Sequence, residues 1–113
     1  MPSCRLVVLD LAFNRIQCKG AKTLAYALIH GCNHLKVLQV SYNELKDPGL
    51  CALADALSPG KNSMLRCLYA WGNEFGERAS KEFGNLIHSG RLLRDFTDVE
   101  PYEVDCRIYV AER

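Results

Sequence analysis

The chain has no long apolar run, no marked excess of either charge and no paired-cysteine motif. Its longest uninterrupted apolar stretch is only a few residues, so we expect neither a membrane span nor a signal-peptide core. The 14 basic and 13 acidic residues are scattered and give a formal net charge of +1, so the sequence lacks the basic stripe that nucleic-acid binding requires. With 113 residues and 49% apolar content, the chain is expected to form one domain at most, with a real core.

The cysteines and histidines show no spacing typical of a metal site or a redox pair. No C-x-x-C occurs, and no histidine stands at a zinc-type distance from a cysteine. The residues concerned are Cys4, Cys18, Cys32, Cys51, Cys67 and Cys106, with His30, His34 and His88. Six cysteines in a small chain are compatible with disulfides, but reduced thiols that pack as small apolar side chains in a cytosolic protein explain the scattered spacing better. We therefore expect free thiols, no metal and no cofactor.

What the sequence does contain is one pattern written three times. It reads Leu6-x-x-Leu9-x-Leu11-x-x-Asn14-x-Ile16 and recurs after 29 and then 30 residues. The recurrences are Leu35-x-x-Leu38-x-Val40-x-x-Asn43-x-Leu45 and Leu65-x-x-Leu68-x-Ala70-x-x-Asn73-x-Phe75. A fixed period of this length indicates stacked units, each of which buries its apolar face only against its neighbours.

Over roughly residues 4–90, this pattern resembles the leucine-rich repeat of the long, ribonuclease-inhibitor-like subtype, which has a helix in every unit. The resemblance implies an α/β solenoid with parallel strands on the concave side and helices on the convex side. It implies about three repeats, at about 4–32, 33–62 and 63–92. Residues 93–113 are expected to form a degenerate repeat and a C-terminal cap strand or hairpin, since terminal units must be atypical.

Local sequence patterns predict which residues of each unit face the core. Strand alternation directs three pairs of side chains inward: Leu9 with Leu11, Leu38 with Val40, and Leu68 with Ala70. Helices are expected at about 20–30 and 77–88, and in the second unit Asp47 reads as the N-cap and Pro48 as the first helical residue. Three asparagines stand where the chain leaves each strand, and their amides are expected to bond the turn backbone in a structural role: Asn14, Asn43 and Asn73.

The C-terminal segment departs from the repeat. Leu93-x-x-Phe96-x-Asp98 resembles the start of a fourth strand whose third apolar position has become an aspartate. After Pro101 an alternation of apolar and polar residues resumes, which predicts a strand, or a hairpin that turns near Asp105 and Cys106.

Outward-facing strand positions predict a surface that is rich in aromatic rings and poor in charge. The candidate partner-binding residues on this concave face are Phe13, Gln39, Tyr42, Tyr69 and Trp71. Patches of this composition lie at the centres of protein interfaces. The alternative is that some of the rings fold over the turn side and pack on their neighbours. Binding is favoured over it, because Tyr and Trp exposed in this way would leave a large apolar patch without a purpose if no partner covered them.

No group of residues suggests catalysis, because no serine or cysteine nucleophile is paired with a histidine and Gly72, Gly76 and Gly84 have the wrong spacing for a phosphate loop. The resemblance implies a non-enzymatic protein-interaction scaffold, or a structural subunit of a larger assembly, in the cytoplasm. Residues 98–105 are similar to leucine-rich-repeat proteins of cilia and sperm axonemes, which suggests an axonemal setting. The alternative is a regulator or inhibitor of an enzyme, similar to ribonuclease inhibitor or to GTPase-activating proteins.

The expected partners are other proteins, with no nucleic acid and no membrane. The first strand has no shielding element before it, so its edge and the apolar layer beneath it would be open. We expect that another chain or further repeats cover this end.

Overall fold

The structure, a computed structural model, describes residues 6–31, 34–58 and 64–112. Its elements are, in chain order, β1 (Val8–Asp10), α1 (Gln17–His30), β2 (Val37–Gln39), α2 (Lys46–Ala56), β3 (Cys67–Tyr69), α3 (Glu77–His88), a short 3-10 helix (Arg94–Phe96), β4 (Val99–Val104) and β5 (Arg107–Glu112). Strands β1, β2 and β3 form one parallel sheet, in which Leu9, Leu38 and Leu68 stand side by side. The predicted α/β class with a parallel sheet is therefore confirmed, and helix α3 has the predicted bounds.

The core lies between the parallel sheet and the three helices. Leu38, Val40, Leu68 and Ala70 are fully buried, as the strand alternation predicts. Leu9 is only half-buried, because β1 is the edge strand and no described element covers its outer side. Burial of these strand residues is therefore complete in the second and third units and incomplete in the first.

The start of helix α2 differs from the prediction. Asp47 lies inside the helix, which begins at Lys46, and no side chain caps it. The Asp47 carboxylate instead accepts a hydrogen bond from the backbone N–H of Ala79, at 2.9 Å, and so caps helix α3 of the next unit. A Cβ at Gly76 would lie 2.5 Å from this carboxylate, so glycine at that position permits the contact between units.

Residues after helix α3 form an antiparallel hairpin, β4–β5. Its turn is Asp105–Cys106, and both residues have positive φ (50° and 64°), which is the geometry of a two-residue type I′ turn. The turn places Tyr102 opposite Tyr109, whose rings stack with centroids 5.6 Å apart. Tyr102 and Tyr109 therefore lie on the exposed face of the hairpin, and Ile108 lies on the opposite face.

The inner face of the hairpin packs on helix α3. A Cβ at Gly84 would approach Ile108 Cγ2 to 3.2 Å, so the missing side chain lets the hairpin lie close to the helix. Val99 at the start of β4 is fully buried in the same core. Among the described residues, no helix combines the length and the apolar content needed to cross a membrane.

Replacing Leu38 by alanine should lower the free energy of unfolding by about 2–5 kcal/mol, because the side chain is fully buried and its loss opens a cavity between two stacked units. Denaturant melts measure the change. Lys22→Ala, at an exposed position of helix α1, serves as the control and should change stability by less than about 0.5 kcal/mol. Equal effects of the two substitutions would contradict the position of Leu38 in the core.

Candidate functional site

The turns that end the strands are tied together by a row of asparagine amides. The Asn73 side chain donates to the carbonyls of Val40 and Ala70, both at 2.9 Å, and accepts from the backbone N–H of Asn43 at 2.7 Å. Asn43 repeats the arrangement one unit earlier and accepts from the N–H of Asn14 at 3.0 Å. Each buried amide thus satisfies backbone groups of two units at once, and this holds the turns in a fixed register.

Phe13 and Tyr42 occupy equivalent positions just before their asparagines. Both have a left-handed backbone, with φ of 62° and 57°, and the equivalent Gly72 has φ of 84°. Their rings are stacked, with centroids 4.9 Å apart and planes 6° apart. The Tyr42 ring continues over Gly72, where a Cβ would collide with it. We call this pair, Phe13 and Tyr42, the aromatic stack.

The aromatic stack is exposed to solvent although its two rings contact each other. Phe13 is 77% exposed and Tyr42 is 44% exposed. Strand alternation does not describe these two residues, because the left-handed turn, rather than the pleat of the strand, sets the direction of their side chains. Both nevertheless lie just beyond the same end of neighbouring parallel strands, β1 and β2.

The other three candidate binding residues are half-buried. Trp71 packs against the core, and Tyr69 lies on the last strand of the parallel sheet. The side-chain oxygen of Gln39 accepts a hydrogen bond from the backbone N–H of Ser41 at 3.0 Å, so part of this side chain serves the turn. The five candidates therefore divide into an exposed aromatic stack and a half-buried group of Gln39, Tyr69 and Trp71.

Asp98 is the residue whose role the sequence did not reveal. Its carboxylate accepts from the backbone N–H of Ala70 at 2.7 Å and of Trp71 at 3.1 Å. In the preceding unit, the N–H of Val40 bonds to the Tyr69 carbonyl, and Gln39 serves the turn. Tyr69, at the position equivalent to Gln39, has no carbonyl or carboxylate in its side chain, and no complete strand of the described residues lies on the side of β3 away from β2. The Asp98 carboxylate therefore replaces two acceptors of the preceding unit, the strand carbonyl and the glutamine side chain. The position of Asp98 in the repeat pattern was the one sequence signal for this role.

Titratable groups near the surface do not suggest nucleophilic chemistry. Burial, helped by the nearby Asp47 carboxylate, raises the pKa of Cys51 to about 11, so this thiol stays protonated and unreactive at neutral pH. Cys18, Cys51, Cys67 and Cys106 are free thiols, while Cys4 and Cys32 lie outside the described residues. No group of three metal-binding side chains is placed to hold an ion within the part of the chain that the structure describes.

The parallel sheet, the repeated β–α units and the asparagine row define a repeat architecture, and a comparison with protein families agrees. Residues 3–25 and 31–54 match the family model described as leucine rich repeat. These two segments are thus similar to leucine-rich repeats, a class that generally serves as a non-enzymatic module for protein interactions.

Among curated proteins, the chain is similar to one particular leucine-rich-repeat protein from three mammals. The chain is homologous to leucine-rich repeat-containing protein 34 of Rattus norvegicus and of Mus musculus, each 46% identical over 78 residues, which are 69% of this chain and 18% of the relative. The Homo sapiens protein of the same name is 41% identical over 78 residues, which are 69% of this chain and 16% of the relative. The chain thus spans less than a fifth of the length of the curated relatives that it matches.

Replacing Asp98 by alanine should destabilise the fold by about 1–3 kcal/mol, because it leaves the N–H groups of Ala70 and Trp71 without their charged acceptor. Thermal and denaturant melts measure the loss. Asp10→Ala is the matched control: among the described residues, its carboxylate accepts only from the exposed N–H of Ala12, so the substitution should cost less. A larger effect at Asp10 than at Asp98 would contradict the assigned role of Asp98.

Proposed function

We propose that the chain is a protein-interaction module of a larger assembly and that it binds its partner at the edge of the concave face, with the aromatic stack as the anchor. The observation that carries the proposal is the pair of parallel rings of Phe13 and Tyr42, which are exposed yet held by their left-handed backbones and by contact with each other. Aromatic side chains are enriched among the residues that contribute most to protein binding.

Preorganisation supports this choice of anchor. Each ring already leans on the other, and Tyr42 also lies against Gly72, so a partner would immobilise few additional rotamers on binding. Charged residues flank the stack: Arg15 and Glu44, which follow the two asparagines, form an ion pair at 3.6 Å. An apolar centre with a charged rim is the usual anatomy of a protein interface. In the proposal, Gln39, Tyr69 and Trp71 extend the contact across the strands.

We propose further that another leucine-rich-repeat unit, in the same assembly, covers the outer side of strand β1. Asn14 donates to the carbonyl of Leu11 at 2.7 Å, but its side-chain oxygen accepts no hydrogen bond from any described residue, whereas those of Asn43 and Asn73 do. Leu6 and Val8 are about half exposed, while Leu35 and Leu65, equivalent to Leu6, are buried. The row of amides and the apolar layer thus have a defined place for one more unit.

The setting of the assembly is also part of the proposal. The similarity of residues 98–105 to axonemal leucine-rich-repeat proteins favours the cytoplasm and the axoneme of a cilium or flagellum. The axonemal part would be contradicted if fluorescence microscopy of the tagged protein in ciliated cells found it outside the axoneme. Of the described residues on the concave strands only Asp10 carries a charge, and this composition does not favour an inhibitor of a basic nuclease.

Replacing both Phe13 and Tyr42 by alanine should weaken partner binding by about 2 kcal/mol or more, because each ring is a proposed anchor. Affinity capture from lysate with the wild-type chain first defines the bound proteins, and binding of the recovered partner to each purified variant is then compared. Tyr26→Ala is the control, since Tyr26 is an equally exposed aromatic residue on helix α1. Equal partner binding by the double variant, the control and the wild type would rule out the aromatic stack.

The isolated 113-residue chain should self-associate with increasing concentration, because no described residue covers the apolar edge of β1. Size-exclusion chromatography with light scattering measures the mass. Val8→Lys places a charge on the open edge and should reduce the association, whereas Tyr102→Lys on the outer face of the hairpin should not. A concentration-independent monomer with a cooperative melt would contradict the proposed need for a covering unit.

A further inference from the structure

A second surface lies at the opposite end of the strands from the aromatic stack. It is a cavity of about 500 Å³ between the start of strand β3 and the segment that follows helix α3. Its lining residues are Arg66, Gly90, Arg91, Leu93 and Phe96. Two arginines thus share one cavity, and no acidic residue is among the described residues that line it.

Backbone contacts hold both arginines at the wall of the cavity. Arg91 Nη1 donates to the carbonyl of Leu65 at 2.9 Å. Arg66 approaches the same carbonyl through its Nη1, at 3.3 Å. Its Nε and Nη2 groups have no hydrogen-bond partner among the described residues, so an oxygen-bearing ligand can be bound there.

The electrostatics of the cavity are those of a site for an anion. Burial and the neighbouring charge of Arg66 lower the pKa of the Arg91 guanidinium, which means that the two cations repel each other across a partly desolvated space. An anion placed between the guanidiniums would relieve this repulsion.

The apolar side of the cavity indicates what accompanies the anion. Leu93 and Phe96 are both exposed large hydrophobic residues, and Met64 lies exposed two residues before Arg66. Apolar side chains beside paired arginines fit a ligand that alternates carboxylates with aliphatic or aromatic groups. Guanidinium groups bind carboxylates through two parallel hydrogen bonds, which gives such a site its selectivity.

We propose that this cavity binds an extended acidic protein segment, with a Glu or Asp carboxylate between Arg66 and Arg91 and an adjacent apolar side chain against Leu93 and Phe96. The site is separate from the aromatic stack, and either surface can be correct without the other. The cavity gives the chain a second contact surface for a partner. Unlike the concave face, it favours ligands that carry negative charge.

The test measures fluorescence anisotropy of labelled peptides that bind to the purified full chain. The probe is a Glu-Leu-Glu-Phe peptide, and the reference is a Lys-Leu-Lys-Phe peptide of the same length. We expect the acidic probe to bind at least about ten-fold more tightly, with an affinity that falls as salt is added. Equal binding of the two peptides, or no binding of the acidic probe, would overturn the proposal.

Two substitutions assign the contact to the cavity. Arg66→Ala should weaken binding of the acidic probe by about ten-fold. Phe96→Ala should also weaken binding of this probe, but the preference for the acidic over the basic peptide should remain. Both residues are exposed, so the fold should survive, and thermal melts check this. Arg78→Ala, on the exposed side of helix α3, is the matched control and should bind as the wild type does.

Unchanged binding in Arg66→Ala would place the peptide elsewhere and overturn the site. A phosphoserine-Leu-phosphoserine-Phe peptide tests the source of the anion. Binding much tighter than that of the glutamate probe would overturn the assignment to a carboxylate segment and point to a phosphorylated one.

Discussion

The structure depends on one requirement: the backbone groups at the end of each strand must find partners in the next unit. Asn43 and Asn73 meet this requirement because one buried amide can donate to carbonyls of two neighbouring units and accept an N–H from the unit before it. An unpaired buried amide or carbonyl would cost as much as a lost hydrogen bond. The amide row therefore aligns the strands, and the alignment in turn brings the aromatic stack together.

The two edge strands of the parallel sheet differ in how their backbone groups find partners. At β3, the Asp98 carboxylate takes the place of a further strand, and the β4–β5 hairpin covers helix α3 where a further helix would lie. At β1, the Asn14 oxygen accepts nothing from the described residues and apolar side chains are exposed. Among the described residues, the β3 end of the sheet is thus covered and the β1 end is not.

Function is expected at the margins of the sheet rather than at its centre. At the centre of the sheet, part of the Gln39 side chain serves the turn by accepting a hydrogen bond from Ser41. The side chains at the left-handed turns after β1 and β2 reach solvent and can contact a partner, and so can those that line the cavity beside Arg66. Contacts between units also include helix capping, since one carboxylate oxygen of Asp47 accepts a hydrogen bond at the start of the helix of the next unit.

The sequence by itself determined the repeat, its period and the inward strand residues, because burial of apolar side chains with a fixed period leaves a pattern that needs no knowledge of contacts. It also indicated that residues after Pro101 form strand or hairpin. Only the tertiary structure decided which residues act across units. Asp98 and Asp47 bond to backbone 27 and 32 residues away, and no local pattern encodes such a partner. The exposure of Phe13 and Tyr42 was likewise set by left-handed turns, whose geometry the strand alternation does not describe.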